Sequence, residues 1–339
     1  MQLKPEQLLV PSTSPGDVLS QSSSTAPVPK AVYNGGYQDA SEILLRVANG
    51  GAGQSGLVEA LANAFIKYSV ENESTPFLVA WILGDTTESL DYIAARQADV
   101  ALTYNDAAET QSIASGASVK KDLVFFDHFY LVGPRSNPAH LSSTDTVSQI
   151  FNKIVASGKA DEDNPPKDRP ATRFLSRFDK SATNIKDSEL FIRIGQVDSF
   201  LSLLAYSGSR TIYKVPWAQT ASTWYHKYPH YPLEALEEAS TKSEYTITDK
   251  GTWLSSPTSV TDKLAIYKGG NESTTTSGGS NDDATLLLNP CTAVLSAHPS
   301  NQGVAESFMS WLVSKDGGQK VVGEFKNKDG KVLYTPVVV

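Results

Sequence analysis

Apolar periodicity begins near Ala31; before it, residues 1–30 are Ser, Pro and Thr with few apolar positions, the pattern of a flexible tail. Ile43–Val47 (ILLRV) is a short apolar run that ends at the turn signal Asn49-Gly50-Gly51, which predicts a buried strand. Leu57, Leu61 and Phe65 follow at helical spacing behind Ser55, a residue suited to cap that helix. Phe77–Leu83 predicts a second strand, Thr87–Arg96 a second helix and Ala98–Thr103 a third strand. Leu123–Val132 is a long β-rich run. Strands alternating with helices predict a mainly parallel sheet covered by helices on its faces.

The pattern changes after Gly133-Pro134. Residues 157–172 are polar and Pro-rich, Glu189–Leu204 has helical character, and Thr246–Asp249 reads as a strand or turn. Residues 268–284 form a low-complexity loop. Regular patterning resumes at Thr285–Leu288 and Ala293–Ser296, then in an amphipathic helix carrying Val304, Phe308, Trp311 and Leu312. There is no internal repeat. The expected organisation is a first α/β lobe from residues 31–133 and 287–339, and a second lobe from residues 134–286.

With 339 residues the chain has room for two domains at the usual ~100–200 residues each. Its 40% hydrophobic content, with 14 Tyr, 12 Phe and 5 Trp, supports real cores and excludes disorder for the bulk of the chain. A net charge of −8 argues against a nucleic-acid partner, which would require clustered Lys and Arg. It leaves a small anion open, because local dipoles and one or two cations can hold it. A single cysteine, Cys291, excludes an internal disulfide framework and a cysteine-based zinc site. No stretch approaches the ~20 apolar residues of a membrane span, and the N-terminus shows no apolar signal segment. Asn72-Glu-Ser and Asn271-Glu-Ser are N-glycosylation sequons for a chain entering a eukaryotic secretory pathway.

The sharpest local feature is Asn49-Gly-Gly-Ala-Gly-Gln-Ser-Gly56, between a predicted strand and helix. Glycines allow close backbone approach, and a helix start presents unpaired N–H groups at the positive end of its dipole, so an anion fits. Any strand-to-helix turn also uses Gly and a cap. In addition, Gly51-Ala-Gly53-Gln-Ser-Gly56 matches the G-x-G-x-x-G dinucleotide fingerprint. That reading needs an acidic residue ~20 residues on to hold the ribose. Asp85 ends the second strand, but 29 residues beyond Gly56.

Two further segments are candidates. Ser176-Arg-Phe-Asp-Lys-Ser-Ala-Thr183 offers the planar Arg177 fork, with Asp179 to hold it and Ser181 and Thr183 as hydroxyl donors or caps. Taken alone, it is equally a helix start with a solvated charge cluster. Thr103 and Tyr104 end a predicted parallel strand, where ligands of α/β sheets collect. Catalytic arrangements are poorly supported. The five histidines lack metal-ligand spacing, there is no G-x-S-x-G elbow, and Cys291 reads as a small buried side chain.

The order of the glycine loop, ADV, DHFYLVGP (127–134), SRFDKSAT (176–183), YTITDKGTWL (245–254) and LLLNP (286–290) resembles the tungstate-binding proteins of ABC transporters. These are periplasmic-binding-protein type II folds, and this chain looks like a fungal, secreted relative over residues 40–335. The resemblance implies two α/β lobes joined by crossing segments, with an oxyanion, tungstate or molybdate, in the cleft between them. It also implies Arg177 as the main cationic ligand. Asn49-Gly50-Gly51 stands where the family has Thr and Ser, and Ala182 where it has Gly, so backbone N–H groups and the Asn49 amide replace hydroxyl donors. The expected ligand set is Asn49, Gly50, Gly51, Thr103, Tyr104, Ser176, Arg177, Ser181 and Thr183, with no cofactor, no metal and no catalysis. An extracellular monomer is expected, with a membrane transporter as its unidentified partner. A dinucleotide-dependent oxidoreductase and a ligand-free secreted interaction protein are the alternatives.

Overall fold

The computed structural model describes residues 26–179, 181–196, 222–269, 285–327 and 329–337. The elements run β1 (Ala31–Tyr33), β2 (Ile43–Asn49), α1 (Gly51–Gln54), α2 (Leu57–Glu71), β3 (Leu78–Leu83), α3 (Thr86–Ala94), β4 (Val100–Thr103), α4 (Asp106–Ala114) and β5 (Ser118–Pro134). Next come α5 (Val147–Asp163), β6 (Phe174–Ser176), α6 (Ala182–Arg193), β7 (Tyr225–Lys227), α7 (Pro232–Lys242), β8 (Tyr245–Asp249), α8 (Lys250–Ser255), α9 (Thr258–Thr261) and β9 (Leu264–Gly269). The chain closes with β10 (Leu288–Ser296), α10 (Gln302–Leu312), a π-helical turn (Lys315–Gln319), α11 (Lys320–Glu324) and β11 (Thr335–Pro336). Most of residues 1–30, the end of the expected 189–204 helix and most of the 268–284 loop lie outside the described residues.

Two mixed sheets share β5. In the first, β2 runs parallel to β3 and β4, while β10 pairs antiparallel with β4 and β5. In the second, β6 runs parallel to β7 and β8, and β8 and β9 flank β5 antiparallel. The change of partner falls between His128, opposite Leu288, and Phe129, opposite Asp249. The sequence places the break at Gly133-Pro134, the last two residues of β5. Gly133 serves a close approach there: a Cβ would stand 2.1 Å from the Tyr245 ring.

Each sheet carries its own core. Phe65 of α2 packs against Phe308 and Trp311 of α10, at ring distances of 5.0 and 5.5 Å, so the C-terminal helix covers the first sheet. Around the second sheet Phe151, Phe174 and Phe191 form an aromatic cluster with centroids 4.8 to 5.7 Å apart. The result is a two-lobed α/β fold with β5 and β10 at the crossing. Helix α5 occupies part of the stretch read as polar. Its Val147, Ile150, Phe151 and Ile154 are buried at helical spacing, and a Thr146–Gln149 capping box starts it. Arg169 then holds Asp161 at 2.7 Å, which lowers that carboxyl to about 2.

Candidate functional site

A cleft of about 470 Å³ opens between the lobes, and the starts of several helices line it. From the first lobe come Gly50 and Gly51 at α1 and Asp85 and Thr86 at α3. From the second come Ser181, Ala182 and Thr183 at α6, Tyr231 and Pro232 at α7, and Asp249 at α8. At α6, Ser181 caps by accepting from Asn184 N, and the N–H groups of Ala182 and Thr183 are the first of the helix, without intrahelical acceptors. These groups and the dipole behind them face the cleft as a positive end.

Arg177 supplies the formal cation. Its Nε donates to the His230 carbonyl at 3.0 Å and its Nη2 to Asp179, which leaves Nη1 without a protein acceptor among the described residues. Asp179 in turn accepts from Ser181 N at 3.0 Å, tying the arginine to the start of α6. The turn that presents Arg177 puts Phe178 at φ 48°, a conformation uncommon for non-glycine residues.

Carboxylates surround this cation, and their partners are mostly helix ends. Asp85 accepts from Glu88 N at 2.8 Å in a capping box, and Asp249 accepts from Thr252 N at 2.7 Å. Burial raises the Asp85 carboxyl above its ordinary range, and among the smaller causes is the charge of Asp179 on the opposite lobe. Asp127 lies on the cleft floor, 7% exposed, where burial and then the neighbouring Asp249 push its carboxyl well up. Such a shift favours the protonated carboxyl, which can donate.

Six of the residues expected at the site line the cleft: Gly50, Gly51, Tyr104, Arg177, Ser181 and Thr183. Asn49, Thr103 and Ser176 do not. Asn49 is fully buried, with Nδ2 donating to Leu102 O and Oδ1 accepting from Gly53 N, both at 2.7 Å, so its amide braces the glycine loop from behind. Thr103 donates to the buried Glu109 at 3.0 Å, and Ser176 to the buried Asp187 at 2.7 Å. Each stands at a strand end, but strand residues alternate faces, and these three point into the lobes. The dinucleotide fingerprint folds as a helical turn: Gly51–Gln54 is α1, and Gly53 sits where a Cβ would meet the Trp81 ring at 2.2 Å. Its proposed ribose partner, Asp85, is a helix cap.

Sequence reasoning missed the acidic floor and rim, namely Glu88, Asp127, Glu234 and Asp249, and the neighbouring Asn289. Asp249 had a signal, since an Asp that closes a predicted strand is a favoured N-cap for a helix that follows. Asp127 had none: its position depends on β5 crossing between sheets.

A family model described as a PBP superfamily domain matches residues 20–316. The chain belongs to the PBP superfamily. Among relatives of this PBP chain is the tungstate-binding protein TupA of Peptoclostridium acidaminophilum, 25% identical over 248 residues, covering 71% of this chain and 68% of that one. A crystal structure of a periplasmic protein assigned as metal binding is 43% identical, with a TM-score of 0.74, covering 91% of this chain and 98% of its own. The tungstate-binding TupA of Desulfovibrio alaskensis G20 shares the fold at a TM-score of 0.63 and 23% identity, over 88% of this chain and all of that one. Among the described residues no helix of this PBP chain is long and apolar enough to cross a membrane.

Proposed function

We propose that this protein is an extracytoplasmic solute-binding protein that captures a metal oxyanion, tungstate or molybdate, between its lobes and performs no chemistry on it. The observation that carries the reading is that Arg177, whose Nη1 has no protein acceptor among the described residues, lines one cleft with the start of α6 and with Gly50 and Gly51 of the other lobe. A buried dianion needs many donors at once, because an unpaired charge removed from water is costly. Hydrogen bonds to charged groups contribute roughly 1.5–3 kcal/mol each, so several of them reach micromolar affinity after the cost of closing the lobes.

A bare metal cation is the competing ligand for an acidic cleft. Against it stands the use of Asp85, Asp179 and Asp249 as caps or ion-pair partners. Also, among the described residues no group of three or more His, Cys, Asp or Glu side chains is placed to hold a metal ion. An oxyanion of a metal reconciles a metal-binding relative with tungstate-binding ones. Calorimetric titration with tungstate, molybdate, sulfate, phosphate, divalent cations and NAD tests the reading. Saturable one-site binding of tungstate or molybdate is expected. Binding of a divalent cation or NAD with no response to any oxyanion sinks it.

A further inference from the structure

Beneath Arg177 lies a recess that is closed even to a water molecule while the guanidinium covers it, and that shares Arg177, Thr183, Pro232 and Asp249 with the main cleft. Its back wall is β8. Thr248 of that strand is 4% exposed, and its Oγ1 has no hydrogen-bond partner among the described residues. The adjacent hydroxyl on the same strand face behaves differently: Thr246 Oγ1 donates to Leu175 O at 2.9 Å. Leaving a buried hydroxyl unpaired costs about 1–3 kcal/mol, and an apolar side chain of the same shape would avoid that penalty. Valine has that shape and suits a strand at least as well as threonine. This unpaired hydroxyl lies beside Arg177, the one arginine among the described residues that line the cleft.

We propose that Thr248 is a ligand-contacting residue, whose hydroxyl donates to an oxygen of the bound oxyanion when the guanidinium of Arg177 swings off the recess. The inference rests on the oxyanion reading of the cleft. Arg177 is the movable part, because one of its two contacts is to Asp179 on its own turn and the other to a single backbone carbonyl. Thr248 and Thr183 then present two hydroxyls from opposite walls, β8 and α6. Neutral hydroxyls hold a tetrahedral dianion without drawing in the carboxylates around it.

The full chain is titrated with sodium tungstate and sodium molybdate as wild type, Thr248→Val and Thr248→Ser. Thr248→Val is expected to weaken binding about 10- to 100-fold, the worth of one hydrogen bond to a charged group. Its ligand-free melting temperature should be unchanged or higher, since the hydroxyl has no structural partner to lose. Thr248→Ser, which keeps the hydroxyl, should stay within a few-fold of wild type. Wild-type affinity in a folded Thr248→Val overturns the inference alone. So does an equal loss in Thr248→Ser, which would assign the effect to shape, or a Thr248→Val that melts several degrees lower. A wild-type protein that binds neither anion overturns the reading of the cleft, and this inference with it.

Discussion

Asp85 at the start of α3, whose carboxyl pKa is raised chiefly by burial, also faces across the cleft the charge of Asp179, which stands beside Arg177 in the other lobe and adds a smaller push in the same direction. An arriving dianion therefore meets one arginine and several helix starts within a negative rim. Helix-end dipoles and Coulomb repulsion act together, and removing one rim charge should favour the anion. Asp85→Asn keeps a good N-cap while it deletes the charge. Stability should change by under about 1 kcal/mol, while tungstate affinity rises several-fold at low salt and less at high salt. A salt-independent affinity, or a fall on substitution, contradicts this electrostatic picture.

Arg177→Ala should abolish tungstate binding, with a loss of about 100-fold or more. The apo melting temperature should move little, because the side chain's contacts are one carbonyl and one carboxylate at the rim. Calorimetry and thermal denaturation read the two effects separately. Unchanged affinity would take Arg177 out of the site.

The glycine loop should separate binding from folding position by position. A Cβ on Gly51 meets nothing within 4 Å, whereas one on Gly53 would enter the Trp81 indole, which also donates to the Asn49 carbonyl at 2.9 Å. Gly53→Ala should therefore destabilise the protein by several kcal/mol, as overpacking does at its upper end. Gly51→Val should fold and bind tungstate weakly, with its side chain standing in the cleft. Thermal melts of both variants check the first statement, and titration of Gly51→Val the second.

Asp187 gives the pH dependence a defined window. Burial raises its carboxyl to about 7, against the opposing donors Ser176, Ser188, Asn184 and Tyr225. A folded pKa above the unfolded one favours the protonated native state, so this contribution is full below about pH 4 and is lost as pH rises to about 7 and beyond. Replacing Asp187 with Asn removes the titration. The stability of Asp187→Asn relative to wild type should climb by up to a few kcal/mol between pH 4 and pH 8. A pH-independent difference in melting temperature would show that Asp187 does not titrate in that window.

Local chemistry in the sequence was enough for much of this. The apolar runs of β2, β3 and β4 and the cap Ser181 are readable because each depends on neighbours a few residues away. The same holds for the cation on its turn at Arg177. Which face a strand-end residue presents is not local. Asn49, Thr103 and Ser176 look like ligands because they are polar residues at strand ends, and tertiary pairing turned them towards Leu102, Glu109 and Asp187 instead. Gly133 looks like a boundary, and only the Tyr245 ring packed on it explains the glycine. The acidic floor at Asp127 and the orphaned hydroxyl of Thr248 exist because β5 passes from one sheet to the other and brings β8 beneath Arg177. Sequence patterning determined the alternation of β2, α2, β3, α3 and β4 and the helix start at Ser181, since these answer to short-range hydrogen bonding and periodicity, whereas Ser55 closes α1 and does not cap α2. The tertiary structure decided which of those groups face one another across the cleft, because that depends on pairing between residues more than a hundred positions apart.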